Sequence, residues 1–196
     1  MGKCDIVRTL NLTKDKKITL PYNSSHIAYL NDVPMTVFPI YFASPISIEA
    51  QNELRTNLTK IKAEKSPYEF IDMLLHFVQT AFEYKTDDDQ FGYEKYFYPE
   101  EVIAYPYSDC EDRAALFSWL VTTYTNAKVI GLQYEGHVAT AVCFGDDFKI
   151  DGDAFTYGGK RYYVCDPTYI NASVGMTMPQ FIGKTPKVIK LKKAAN

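Results

Sequence analysis

Three residues of the chain carry side chains that perform acyl-transfer chemistry when they meet: Cys110, His137 and Asp166. Cys110 lies in "YPYSDCEDRAAL", residues 105–116, between acids at the mouth of an apolar run. A thiol is a weak nucleophile until it loses its proton, and a helix N-terminus assists by presenting unpaired N–H groups and the positive end of the dipole. The carboxylates of Asp109 and Glu111 act in the opposite sense, because negative charge disfavours a thiolate. An imidazolium is the expected compensation. Of the three histidines, His137 follows Gly136 at the start of the strand-like run "HVATAVCF", where a side chain at a sheet edge can face a helix N-terminus. His26 falls in an N-terminal β region with no acid or thiol beside it in sequence, and His76 shares a helix face with Asp72 and Gln79 that reads as solvent-side. A third group must hold the imidazole tautomer, and Asp166, ending the strand "RYYVCD" before Pro167, is the candidate. Taken singly, Cys110 also reads as a small buried hydrophobe and Asp166 as a turn residue before proline.

The elements that must position these groups follow from periodicity. "SDCE" carries Ser108 as an N-cap with Glu111 three residues later, a capping box, so Cys110 falls in the first turn of the helix "RAALFSWLVTTY". That helix is apolar nearly all round and is predicted to be central and buried. An earlier helix is announced by Ser66, Pro67 and Glu69, followed by an apolar face of Phe70, Ile71, Leu74, Leu75, Phe77, Val78 and Phe82. From Ser47, the residues Ile48, Leu54, Leu58 and Ile61 give an amphipathic surface helix. "KTDDDQFGYEKYFYPEEVIAYPY" reads as a long aromatic-rich loop of functional importance. After Tyr124 the period switches to two: "KVIGLQY", "HVATAVCF", "FKI" and "RYYVCD" read as strands, "YGGK" as a hairpin turn and "MPQFIGKTPKVIKL" as holding a last strand. Residues 1–45 read as β or extended ("KKITLPYN", "SHIAYL", "TVFPIYF") and 46–196 as the catalytic domain, the two forming one unit. Helices first and an antiparallel sheet second make the class α+β.

Composition sets the outer limits. At 196 residues, with 46% hydrophobic and 23% charged side chains, the chain can bury one sizeable core. A net charge of −3 and the lack of a basic, aromatic-interleaved block argue against nucleic acid, and the absence of an 18-residue apolar run argues against a membrane span. Cys4, Cys110, Cys143 and Cys165 form no C-x-x-C pair, which argues against zinc and a disulfide framework and leaves at least one free thiol. The opening "MGKCDIVRTL" lacks the apolar region of a signal peptide. An export signal or further domains upstream are compatible with such a start, so an exported or periplasmic location stays open.

Together, "SDCEDRAALFSWLV", "GLQYEGHVATAV" and "YYVCDPTY" resemble the three blocks of the transglutaminase-like superfamily, in the family's order and across roughly residues 66–170. The resemblance implies a papain-like core in which a helix opening on the cysteine packs on an antiparallel sheet. Cys110 would then be the nucleophile, His137 the base and Asp166 the orienting carboxylate. The chemistry would be thiolate attack on a peptide or protein amide, giving a thioester that water or an amine resolves. "DCED" is most similar to bacterial transglutaminase-like cysteine proteinases, some of which hold calcium beside the cysteine; Asp109 and Glu111 match those positions, with helix capping as the alternative. No other cofactor is implied. Val138 departs from the aromatic that often follows the histidine. The oxyanion needs a donor besides the Cys110 N–H, and Gln90 or a tyrosine of "FGYEKYFYPEE" is the candidate. The expectation is a hydrolase; a catalytically inactive peptide- or glycan-binding cleft and an amine-transferring enzyme are the alternatives. A third reading makes the N-terminal region a docking element of a larger assembly.

Overall fold

The structure is a computed structural model and describes residues 3–191. A hairpin of β1 (Ile6–Thr13) and β2 (Lys16–Tyr22) is followed by helices α1 (Ser24–Asn31), α2 (Phe38–Ala43), α3 (Ile48–Ala63) and α4 (Pro67–Ala81). Next come β3 (Glu83–Tyr84), α5 (Asp87–Phe91), α6 (Pro99–Ala104) and β4 (Tyr107–Ser108), and then α7 (Cys110–Tyr124). The strands β5 (Lys128–Tyr134), β6 (His137–Cys143), β7 (Ala154–Tyr157), β8 (Lys160–Cys165) and β9 (Lys187–Lys190) form an antiparallel sheet in the order β7-β8-β6-β5-β9. The class is therefore mixed α+β. Among the described residues no helix is long and apolar enough to cross a membrane.

Helix α7 is the axis of the molecule. Every residue from Cys110 to Val121 is buried, because a helix apolar on all sides can only be covered on all sides. It lies against β5 and β6 of the sheet and against α2, α4 and α6. The Ser66–Glu69 capping box of α4 is formed as its sequence predicts, and the apolar face from Phe70 to Val78 joins Leu116, Phe117 and Leu120 of α7 in the main core. The same core takes Leu10, Leu12, Ile18 and Leu20, the inward-facing alternate residues of the N-terminal hairpin. Arg8, on the other face of β1, donates to the carbonyls of Ile103 (3.0 Å) and Tyr105, tying the hairpin to the end of α6.

Several local expectations are overturned. Only the first part of residues 1–45 is β: "SHIAYL" lies in α1, capped by Asn23, whose side chain accepts from the His26 N–H, and "FPIYFA" is α2, started by Pro39 in its first turn. The segment after α4 holds two short helices and a parallel pairing of β3 with β4, and "FKI" is not a strand. Elsewhere the turns follow the sequence. Gly158 and Gly159, at φ +55° and +73°, make the tight turn between β7 and β8, and β9 pairs with β5.

Candidate active site

The sheet register delivers two of the three predicted side chains to one place. β5 and β6 are joined by the two residues Glu135-Gly136, with Gly136 at φ +70°, and His137 is the first residue of β6, opposite Tyr134. β8 runs antiparallel to β6 with Thr140 opposite Cys165. Continued by one residue, that register sets Asp166 opposite Ala139, a diagonal step from His137 on the same face. The side chains meet: His137 Nε2 is 2.8 Å from Asp166 Oδ2. The other carboxylate oxygen accepts from the Thr168 N–H (2.9 Å) and hydroxyl (2.6 Å), so Asp166 is held at both ends. Phe181 stacks on the imidazole with ring centres 4.9 Å apart and planes 8° from parallel. Asp166 on Nε2 leaves Nδ1 as the nitrogen free for proton transfer.

Cys110 arrives from the opposite direction. It is the first residue of α7, so its N–H has no intrahelical acceptor. It packs with Ala114, Ala115 and Val138, and the Val138 N–H draws the thiol downward in pKa. The nucleophile candidate thus abuts the strand one residue from His137. Its hydrogen bond, however, runs to Glu111 Oε2 at 3.0 Å. Burial, then Glu111 and Asp109, push the thiol well above its ordinary value. The side-chain hydrogen-bond partner of Cys110 is thus Glu111, and that of His137 is Asp166.

The predicted cap is also corrected. Ser108 is taken up by β4, and the N-cap passes to Asp109, with Asp112 Oδ2 accepting from the Asp109 N–H at 3.4 Å. Glu111 is therefore released from capping and turns to the thiol. Around this first turn, carboxylate oxygens of Asp87, Glu94 and Glu111 lie within 4.8 Å of one another, as do those of Asp87, Asp109 and Asp112. The Asp109 Oδ1 atom is buried with no hydrogen-bond partner. Burial, with Asp112 and Glu111 beside it, pushes the Asp109 carboxyl up to about 10; burial and Glu111 push Asp112 well up, and burial pushes Asp87 up to about 6. Sequence reasoning found Asp109 and Glu111 and missed Asp87, Glu94 and Asp112. The acidic run "TDDD" was a signal, but only folding brings α5 against α7. Gln90 sits half-buried on α5, one turn after Asp87.

Other side chains have roles that the sequence reading did not give them. Gln79 was placed on a solvent face, but it is buried and donates to the backbone carbonyls of Asp166 (3.0 Å) and Ala172 (2.9 Å). His76 Nδ1 lies 3.0 Å from Gln79 Oε1, and Asp72 accepts from the Val174 N–H (2.8 Å), so this face of α4 clamps the chain after Asp166. Arg113, fully buried, donates to Ser108 Oγ and to the carbonyls of Gln79 and Phe82, locking α7 against the end of α4. Its guanidinium lies over the ring of the exposed Tyr84. A lone polar residue in an apolar stripe was the available signal for both Gln79 and Arg113.

A cavity of about 320 Å³ lies elsewhere, lined by Lys62, Lys65, Phe70, Thr125, Asn126 and Phe144 among others. It lies at the far end of α7, about 22 Å from Cys110 by helix rise. Cys110 and His137 are each 9% exposed, so little of either side chain reaches solvent. Comparison of the chain with family models, with curated proteins and with solved structures finds no match in any of the three.

Proposed function

We propose that the protein is a cysteine hydrolase with a papain-like arrangement, in which Cys110 attacks a peptide or protein amide. Among such enzymes, the run of acids around its cysteine is most similar to that of bacterial transglutaminase-like cysteine proteinases. One observation carries the reading: a cysteine at the N-terminus of the buried helix abuts a strand whose first residue, His137, is held by Asp166 at 2.8 Å.

In this mechanism the thiol leaves Glu111 and gives its proton to His137 Nδ1, while Asp166 stabilises the imidazolium. The thiolate bonds to the amide carbonyl carbon, and the carbonyl electron pair moves to oxygen, where the Cys110 N–H donates to it. A second donor comes from Gln90 or from a tyrosine of the neighbouring loop. Collapse breaks the C–N bond, and the imidazolium proton goes to the leaving amine. Water, deprotonated by His137, then cleaves the thioester to release the acid and restore the thiol.

The acidic residues fit a calcium ion. Hard oxygen donors suit it, two carboxylate trios share Asp87, one with Glu94 and Glu111 and one with Asp109 and Asp112, and the buried Asp109 Oδ1 has no hydrogen-bond partner. Asp87 with Glu94 and Glu111, or Asp87 with Asp109 and Asp112, would hold the ion, which would supply positive charge against the carboxylates that keep the thiol protonated. The raised thiol favours a second reading, a catalytically silent binding cleft. Iodoacetamide labelling of Cys110 against pH, with and without calcium, separates the two. An active site gives fast labelling below the ordinary thiol range with calcium present, with that low-pH component lost in His137→Ala. Labelling as slow as a buried thiol under every condition would leave the binding cleft.

A further inference from the structure

Helix α4 carries a polar stripe beside its apolar face: Asp72, His76 and Gln79, spaced so that they stack along one side of the helix. Gln79 is 1% exposed, and a buried amide is costly unless its groups find partners. It finds them on the turn that follows β8 and on α7. Its Nε2 donates to the carbonyls of Asp166 (3.0 Å) and Ala172 (2.9 Å), and its backbone carbonyl accepts from Arg113 Nη1 at 3.3 Å. Arg113 stands about one turn after Cys110 on α7. One residue therefore ties the helix of the thiol to the turn of the carboxylate.

The other members of the stripe fix how Gln79 is turned. Both carbonyls can only accept, so the amide presents its NH₂ to them and its oxygen to His76 Nδ1, 3.0 Å away. Nδ1 must then carry a hydrogen, and the ring is set with Nε2 toward Asp72 Oδ2 at 3.4 Å. Asp72 in turn accepts from the Val174 N–H (2.8 Å) and the Ser173 hydroxyl (3.4 Å). The stripe thus grips the chain at Asp166, at Ala172 and at Val174. Asp166 is the first residue beyond β8, so its backbone has left the strand and takes its position from these bonds and from the Tyr169 N–H, which donates to its carbonyl at 3.3 Å.

We propose that Gln79 is a positioning residue for the acyl-transfer site: through Arg113 and its own amide it sets where the Asp166 carboxylate, and with it the His137 imidazole, stands relative to Cys110. Its functional meaning rests on the hydrolase reading, whereas the tie itself is a property of the fold. His76 and Asp72 act one step further out, by keeping the Gln79 amide from turning over. A displacement of roughly 1 Å at a reacting group can cost about a hundredfold in rate, so a support that holds one orientation matters to the chemistry as well as to stability.

The test uses the full chain with isotope-labelled histidine and reads the imidazole N–H of His137 that donates to Asp166, a downfield proton resonance assigned by its loss in His137→Ala. Gln79→Met keeps the length of the side chain and removes both donors. In folded Gln79→Met the resonance should move upfield or be lost to exchange with water, and His76→Ala, a change at a half-buried side chain, should shift it less and in the same direction. Leu58→Ala, a destabilising change in the core on α3, should leave it in place. With calcium present, the His137-dependent labelling of Cys110 by iodoacetamide should fall at least about tenfold in Gln79→Met. A resonance unchanged in folded Gln79→Met, or displaced equally by Leu58→Ala, would overturn the proposal. Should Gln79→Met not fold, an unchanged resonance in His76→Ala overturns it. If wild-type labelling is independent of His137 while Gln79→Met still displaces the resonance, the tie stands and the hydrolase reading falls.

Discussion

The Cys110 thiol donates its hydrogen bond to Glu111 Oε2 at 3.0 Å, so the cysteine at the head of the buried helix is held as a thiol by its own neighbour in sequence. Glu111 follows burial as the next largest cause of the raised thiol. In the proposed enzyme this makes the carboxylate cluster a control on the nucleophile.

Glu111→Gln removes one negative charge from the thiol while keeping its size. Cys110 is expected to titrate lower and to label with iodoacetamide at neutral pH several-fold to about tenfold faster, a factor of ten corresponding to about one unit of pKa. An unchanged pH profile would show that burial alone sets the thiol.

Asp166→Asn keeps the shape of the carboxylate but removes the charge that stabilises an imidazolium on His137. Any hydrolysis of amide substrates should fall roughly 10³- to 10⁴-fold in kcat, with a much smaller change in KM. Comparable activity in the variant would remove Asp166 from the mechanism.

The Asp109 carboxyl is raised from an ordinary 3.8 to about 10, which fixes the sign of its pH dependence. Above 3.8 the unfolded chain loses this proton while the folded one keeps it, so without added calcium the group's stabilising contribution is full at acid pH and drains away as pH rises toward about 10. Thermal unfolding of wild type against Asp109→Asn should show the difference in melting temperature changing across that window, the wild type losing ground as pH increases. Parallel curves would contradict the protonated Asp109.

Gln79→Ala leaves the carbonyls of Asp166 and Ala172 without their buried donor. A loss of about 2–3 kcal/mol in urea unfolding is expected, through unsatisfied polar groups and a small cavity. Proteolysis at 166–176 should increase in the same variant. Loss of stability with that segment as protected as before would place the effect elsewhere.

Much of this architecture was legible in the chain. The all-round apolar run after Cys110 had to be a central helix, and the alternation in "HVATAVCF" and "RYYVCD" had to be strands. The Ser66–Glu69 box marked the start of α4 to the residue. These signals are local, set by backbone periodicity and by caps that reach only three residues. Where local signals competed, sequence reasoning failed. Ser108 offers a good cap, but pairing of β4 with β3 claims it, and the cap moves to Asp109. "SHIAYL" has β-favouring residues, yet the Asn23 cap and burial of Ile27 make it helical.

The sequence by itself determined which residues are able to react, the order in which they occur and the elements that carry them. Only the tertiary structure decided what each one faces. The strand register brings His137 to Asp166, and the fold brings Asp87 of α5 and Glu94 to the carboxylates at the first turn of α7. The reason is physical: periodicity depends on neighbours a few bonds apart, whereas burial and charge depend on segments that meet only once the core has closed.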